Sequence, residues 1–152
     1  MAGFKIDKGG FTLMEMMLVV AILAMIATLS VPSIHRARIS ANEQSAIGAL
    51  KTLHTAIETY REVYNNAYPV NLSVLANDAM PFIPRVLVTG CNNASAPSYH
   101  GYQLCYDLIP ATSIYTCNAT PLIMNTTGVR IFQVTKSGVI EELRGANWTA
   151  LE

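Results

Sequence analysis

Hydrophobic and polar positions divide the chain into three stretches of different periodicity. The first, residues 11–31, is apolar except for two threonines, one serine and Glu15. At the rise of an α-helix this stretch would extend about 31 Å, enough to cross the hydrocarbon core of a membrane. The pattern therefore predicts a helix embedded in lipid or among other helices. Pro32 follows directly and predicts a kink or a local loss of helicity.

The second stretch, residues 32–66, continues as an amphipathic helix. Its apolar side chains alternate at spacings of three and four residues, the period of one helix face: Leu50, Leu53, Ile57, Tyr60 and Tyr64. Asn65 and Asn66 come next and are typical of a helix end. We expect the apolar stripe to cover the core of a folded domain.

The third stretch, residues 67–152, is rich in turn residues and short strand-like runs. Residues 71–78 favour one short helical turn. Four runs rich in β-branched, aromatic and other apolar residues follow it: 99–109, 113–123, 128–134 and 138–143. Tight connections at 110–112 and 135–138 predict antiparallel pairing into three or four strands. The whole pattern predicts an α+β fold, a long N-terminal helix packed on a small antiparallel sheet.

Composition and charge narrow the function classes. Charged residues make up only 13% of the chain, and the ten basic and ten acidic side chains give a formal net charge of zero. No nucleic-acid site is predicted, because such a surface would need a basic patch. The histidines, His35, His54 and His100, lack the spacing of metal ligands, and His54 is expected on the polar flank of the second stretch. With no catalytic or phosphate-binding motif present, we predict neither an enzyme nor a cofactor.

Glu15 is the one ionisable residue of the first stretch. A carboxylate at a bilayer centre costs about 2.5–3.5 kcal/mol, so it needs a role. The sequence around it, KGGFTLMEMMLVVAILAMIATLSVP at 8–32, resembles the class III signal of type IV prepilins and pseudopilins. The shared features are a short charged leader ending in glycine, then phenylalanine, a Thr-Leu pair and a glutamate at the fifth position. A secretory signal peptide would have a shorter apolar region, and an uncleaved single-pass anchor is the simpler alternative.

The resemblance implies a maturation step and a role in assembly. A prepilin peptidase would cut between Gly10 and Phe11 and would N-methylate Phe11. The new amine of one subunit could pair with Glu15 of its neighbour, which would offset part of the desolvation of both charges and set the axial register. Pro32 aligns with a proline region that can lose helicity when subunits pack. The alternative is that Glu15 lies near the membrane interface and extends its carboxylate to water.

The same resemblance implies a pilin-like domain plan and a structural function. The plan is a leader at 1–10, a transmembrane and filament-core helix at 11–31, its amphipathic continuation at 32–66 and a globular domain at 67–152. The implied function is that of a structural subunit of a type IV pilus filament, serving adhesion, motility or uptake. A minor pilin or a type II secretion pseudopilin is the alternative within the family. A membrane-anchored ligand-binding or enzymatic domain is the alternative from another class.

Partners and location are implied in the same way. The expected partners are further copies of the chain in a helical filament, the prepilin peptidase, and the assembly platform of a pilus or secretion system. Before assembly the chain would cross the inner membrane once, with its C-terminal domain in the periplasm. After assembly it would lie in an extracellular surface filament.

The three cysteines leave their pairing open. If the first two strands pair about residues 110–112, Cys105 and Cys117 lie opposite each other on one face, and a cross-strand disulfide is possible. By resemblance, Cys91 would close a larger loop with either of them. Of the three pairings we favour Cys105–Cys117, with three free thiols as the remaining alternative.

Calcium is a further question that the resemblance raises. Pseudopilins of secretion systems often bind calcium in an acidic C-terminal loop. The acidic residues of this part of the chain form no compact run of oxygen ligands: Asp78, Asp107, Glu141 and Glu142. No metal site is predicted, which weighs against the major pseudopilin.

Overall fold

The structure contains one long helix followed by an antiparallel sheet. The computed structural model describes residues 10–89, 97–109, 113–144 and 147–151, except for the side chains of residues 29–32 and 144. The chain forms two compact units, with the boundary between Arg36 and Ala37. Residues 1–9, nearly all of the expected leader, lie outside the described residues.

Helix α1 spans Leu13–Val63. The helix continues on both sides of Pro32, so the local loss of helicity expected there is not observed. A proline removes only one backbone donor, and the rest of the helix keeps its hydrogen bonds. The predicted helix end is confirmed. Asn65 and Asn66 adopt positive φ angles of 51° and 63°, and the N–H of Asn66 donates to the carbonyl of Arg61 at 2.9 Å. Asparagine tolerates this left-handed backbone, so the pair turns the chain away from the helix axis.

Two short helical segments connect α1 to the sheet. Helix α2 spans Leu72–Asn77 and confirms the predicted helical turn. The side-chain Oδ1 of Asn71 caps it by accepting the N–H of Val74 at 3.1 Å. A 3-10 turn follows at Arg85–Leu87.

The sheet is a five-stranded antiparallel meander. Its strands, in both chain and spatial order, are β1 (Tyr102–Ile109), β2 (Ile114–Pro121), β3 (Phe132–Thr135), β4 (Ile140–Arg144) and β5 (Asn147–Ala150). The turn predicted at 135–138 is confirmed: Gly138 has a φ of 75° and its N–H donates to the carbonyl of Thr135 at 3.0 Å. The predicted count of three or four strands misses β5.

The core lies between α1 and the sheet. Leu50, Leu53 and Ile57 are fully buried, as the helical stripe predicts, whereas Tyr64 at the end of the stripe is 40% exposed. The sheet contributes Leu104, Tyr115, Phe132 and Val134 to the same hydrophobic cluster, among others. The α+β fold class, a long N-terminal helix on an antiparallel sheet, is confirmed.

The register of β1 and β2 overturns the favoured disulfide. Ile109 pairs with Ile114, so the strands are separated by four residues instead of the three assumed from the sequence. Cys105 therefore pairs with Asn118, one position away from Cys117. Because side chains alternate between the faces of a strand, this shift places the two cysteines on opposite faces of the sheet.

The thiol states agree with this register. Cys105 is disulfide-bonded, and Cys117 is a buried free thiol. A Cys105–Cys117 disulfide is therefore wrong. The third candidate, Cys91, lies outside the described residues.

Candidate processing and assembly site

The start of α1 brings together three of the residues singled out from the sequence: Gly10, Phe11 and Glu15. Gly10 and Phe11 precede the helix in non-helical backbone. Phe11 is 78% exposed, and apart from Gly10 and its two chain neighbours no residue places an atom within 4 Å of the position that a Cβ on Gly10 would occupy. The Gly10–Phe11 peptide bond is accessible and lies outside the helix.

Thr12 is the N-cap of α1. Its hydroxyl oxygen accepts the N–H of Glu15 at 3.2 Å, and its carbonyl accepts the N–H of Met16 at 3.2 Å. Glu15 places a carboxylate in the first turn, where the helix dipole favours negative charge. Sequence analysis missed the role of Thr12, although the Thr-x-x-Glu spacing of a capping box signals it.

The first half of α1 presents an apolar surface on all sides. Every side chain of residues 10–28 is exposed. Many large apolar residues are at least half exposed: Phe11, Leu13, Met14, Met16, Met17, Leu18, Val20, Ile22, Leu23, Met25 and Ile26. A helix that is apolar all round is typical of a membrane span or of the core of a helix bundle, and α1 is long and apolar enough to cross a membrane. This surface requires lipid or neighbouring helices.

A buried ion-pair cluster, Glu43–Arg130–Glu142, fastens the second half of α1 to the sheet. One oxygen of Glu43 accepts the backbone N–H groups of Val129 and Arg130 at 3.0 and 3.2 Å. Its other oxygen accepts Nε and Nη2 of Arg130 at 2.9 and 2.7 Å. Nη1 of Arg130 donates to Glu142 on β4 at 3.1 Å. One arginine thereby joins two carboxylates from two different elements.

Burial makes the two carboxylates depend on this arginine. Glu43 and Glu142 are 5% and 2% exposed, and a buried carboxylate without a partner would strongly destabilise the fold. The hydrogen bonds from Arg130 to Glu43 raise the pKa of the guanidinium. Sequence analysis missed the cluster, although the spacing carries a signal. Glu43 precedes Ala46 and Leu50 at the helical period, so it is a carboxylate placed within the apolar stripe.

A second polar connection runs from α1 to β2. Nδ1 of His54 lies 2.7 Å from the hydroxyl of Tyr115, which donates to Oε1 of Glu58 at 3.2 Å. Burial in the first place, and the charge of Glu58 in the second, raise the pKa of Tyr115. His54 is half-buried, so it joins the helix to the sheet instead of facing only solvent.

The acidic residues considered as calcium ligands remain apart. Among the described residues, no group of three or more His, Cys, Asp or Glu side chains is placed to hold a metal ion. The carboxylate of Asp78 accepts the hydroxyl of Tyr64 at 2.6 Å, and Glu142 belongs to the cluster with Arg130. These two acidic residues therefore serve packing contacts in different parts of the fold.

Comparison with known proteins identifies the family. Residues 7–31 match the family described as the prokaryotic N-terminal methylation motif. The chain is 37% identical over 65 residues to type II secretion system core protein G of Aeromonas hydrophila, covering 43% of this chain and 45% of that protein. It is 38% identical over 60 residues to the protein of the same name from Pectobacterium carotovorum subsp. carotovorum, and this match covers 40% of this chain and 38% of that protein. It is 32% identical over 90 residues to the type IV wide pilus major component PilA4 of Thermus thermophilus, and this match covers 59% of this chain and 68% of that protein.

The chain therefore belongs to the type IV pilin and pseudopilin family. Members of this family are structural rather than catalytic proteins. The chain spans less than half of the length of the two secretion-system relatives that it matches. No solved structure matches it at a significant level. The methylation motif and the apolar N-terminal helix suit membrane anchoring and filament assembly.

Proposed function

We propose that this chain is a structural subunit of a type IV pilus filament that polymerises through α1 and serves adhesion, motility or uptake. The observation that carries the proposal is the apolar surface of residues 11–28, which is exposed on all sides. Similarity to a major pilus component supports it, because 90 aligned residues extend well beyond the 25 residues of the methylation motif. Packing of α1 against copies of itself would remove this surface from water.

Maturation begins, in this proposal, with cleavage between Gly10 and Phe11 by a prepilin peptidase and N-methylation of the new amine. The accessible peptide bond and the motif match support this step. In the filament the Phe11 amine pairs with Glu15 of the neighbouring subunit. Among the described residues, the carboxylate of Glu15 forms no ion pair, so its counter-charge would come from a second copy. Pro32 marks the point at which α1 would adjust when subunits pack.

Location and partners follow from assembly. The chain spans the inner membrane once, with its globular unit in the periplasm, and enters an extracellular filament through an assembly platform. Residues 1–10 are the leader, 11–31 the filament-core helix, 32–66 its amphipathic continuation and 67–152 the globular domain. The chain itself is not an enzyme, so the energy for assembly comes from partner proteins.

A pseudopilin of a type II secretion system is the second candidate. The identities of 37% and 38% to the two core G proteins favour it, although each match covers less than half of the relative. Both candidates share the same processing and the same helix packing. They differ in whether the filament extends beyond the cell surface.

Mass analysis of the chain purified from native membranes or filaments tests the maturation step. We expect a chain that begins at N-methylated Phe11. An intact leader in cells with an active prepilin peptidase would contradict the proposal, and Glu15 would revert to an isolated charge on a membrane anchor.

Deletion of the gene separates the two candidates. A pilus subunit predicts loss of sheared surface filaments with unchanged export of folded enzymes. A pseudopilin predicts the opposite pattern. Complementation with the wild-type chain controls for effects on neighbouring genes.

A further inference from the structure

The helix start lies just beyond the proposed cleavage point. Gly10 and Phe11 are non-helical, Thr12 caps the helix, and Leu13 is the first helical residue. We infer that Thr12 is a positioning residue for maturation, because its cap holds the Gly10–Phe11 bond outside α1 in a form that a peptidase can bind. This inference rests on the cleavage proposed above.

A peptide bond inside a helix is poorly suited to a peptidase. Its carbonyl and N–H are engaged in hydrogen bonds along the helix. An extended segment leaves these groups available to a binding site that recognises the main chain. In this structure Gly10 and Phe11 are non-helical and the helix begins at Leu13, with the cap at Thr12 between them.

The cap matters because the helix could otherwise grow toward the bond. Phe11 can adopt helical backbone, and Gly10 is an acceptable N-cap. If Gly10 became the N-cap, its carbonyl would accept the N–H of Met14. The carbonyl that the peptidase must attack would then be engaged in the first helical turn.

The test is cleavage of the full-length precursor, in lipid vesicles, by a prepilin peptidase. Thr12→Ala removes the cap and introduces the best helix former. We expect about five-fold slower cleavage, which corresponds to about 1 kcal/mol of capping energy. Thr12→Ser should be cleaved at the wild-type rate. Thr12→Asn should also be cleaved normally, because asparagine caps as well as serine although it has no hydroxyl.

Thr28→Ala is the matched control. It removes the same side chain from the same helix, where the hydroxyl donates to the carbonyl of Met25 at 2.8 Å and caps nothing. We expect wild-type cleavage of this variant. Amide hydrogen exchange of Met14 provides a readout that does not depend on the peptidase, and it should slow in Thr12→Ala as the Gly10 carbonyl becomes an acceptor.

Three outcomes would overturn the inference. The first is unchanged cleavage of Thr12→Ala, and the second is faster exchange at Met14 in that variant. The third is slow cleavage of Thr12→Asn with normal cleavage of Thr12→Ser, since the peptidase would then recognise the hydroxyl directly. Failure of the wild-type chain to be cleaved after Gly10 would instead contradict the proposed function itself.

Discussion

Replacing Arg130 by methionine removes the one cation of the Glu43–Arg130–Glu142 cluster and keeps an apolar stem of similar length. Glu43 and Glu142 then remain as neighbouring carboxylates that are almost completely buried. Glu43 keeps the backbone N–H groups of residues 129 and 130 as donors, but it loses the two hydrogen bonds from the guanidinium. We expect the contact between α1 and the sheet to weaken.

The size of the effect follows from burial and screening. Removing one partner of a buried ion pair costs about 3–5 kcal/mol, because the other charge stays buried. The Arg130 side chain is 39% exposed, so water already screens part of the interaction. We therefore expect Arg130→Met to lower the free energy of unfolding by about 2–3 kcal/mol at pH 7. That is a large share of the stability of a small domain.

Urea unfolding of the full chain in detergent micelles measures this loss. Trp148, the single tryptophan of the chain, lies on β5 opposite Leu143 of β4, so its fluorescence reports the sheet and not the apolar helix. Arg85→Met is the matched control, since Arg85 is exposed and its replacement should change stability by less than about 0.5 kcal/mol. Glu43→Gln combined with Arg130→Met should cost less than the sum of the single changes.

This reasoning would be refuted if the free energies of unfolding of Arg130→Met and Arg85→Met differed by less than about 0.5 kcal/mol. Strict additivity of the Glu43 and Arg130 changes would refute it as well. In either case the contact between Glu43 and Arg130 would be a consequence of the fold and not one of its supports.

Three further predictions concern buried groups and backbone. Burial raises the pKa of the Cys117 thiol to about 12, so the folded chain keeps a proton that the unfolded chain releases from about pH 8.5. This contribution to stability is complete below that pH and is lost as the pH rises toward 12, by about 1.4 kcal/mol per pH unit. Urea titrations between pH 7 and 11 should therefore show a shallower decline in Cys117→Ala, and an unchanged slope would contradict the assignment. Peptide mapping without reduction should show Cys105 in a disulfide, with Cys117 alkylated only after unfolding; a peptide linking Cys105 to Cys117 would contradict the register of β1 and β2. Gly48→Ala should stabilise the chain by about 0.5–1 kcal/mol, because Gly48 lies in α1 with open space around it. Gly128→Ala should destabilise it, because the new Cβ would clash with the ring and hydroxyl of Tyr102, and equal thermal melts of the two variants would refute this contrast.

Periodicity and turn residues predicted most of the helices and strands, but they did not predict the register of β1 and β2. The stripe through Leu50, Leu53 and Ile57 identified the buried face of α1, because a helix repeats its faces every three to four residues. The β1–β2 connection was assumed to be one residue too short, and in a strand that error exchanges the two faces. Strand β5 was missed because it has only four residues and all of them are exposed, so it contributes no buried apolar run.

Two glutamates placed in apolar stretches of α1 show what a sequence pattern can reveal about partners and what it cannot. Glu43 and Glu15 give the same signal, a carboxylate where the helix otherwise carries apolar side chains. Glu43 obtains its cation within the chain, 87 residues away at Arg130, which local spacing could not indicate. Glu15 forms no ion pair within the described part of the chain, although exposed apolar side chains surround it. The proposed pairing of Glu15 with the Phe11 amine of a neighbouring subunit would supply the counter-charge that a carboxylate in such surroundings requires. Replacement of Glu15 by glutamine should therefore leave urea unfolding unchanged and reduce filament yield, whereas Glu43→Gln should lower the stability of the folded chain.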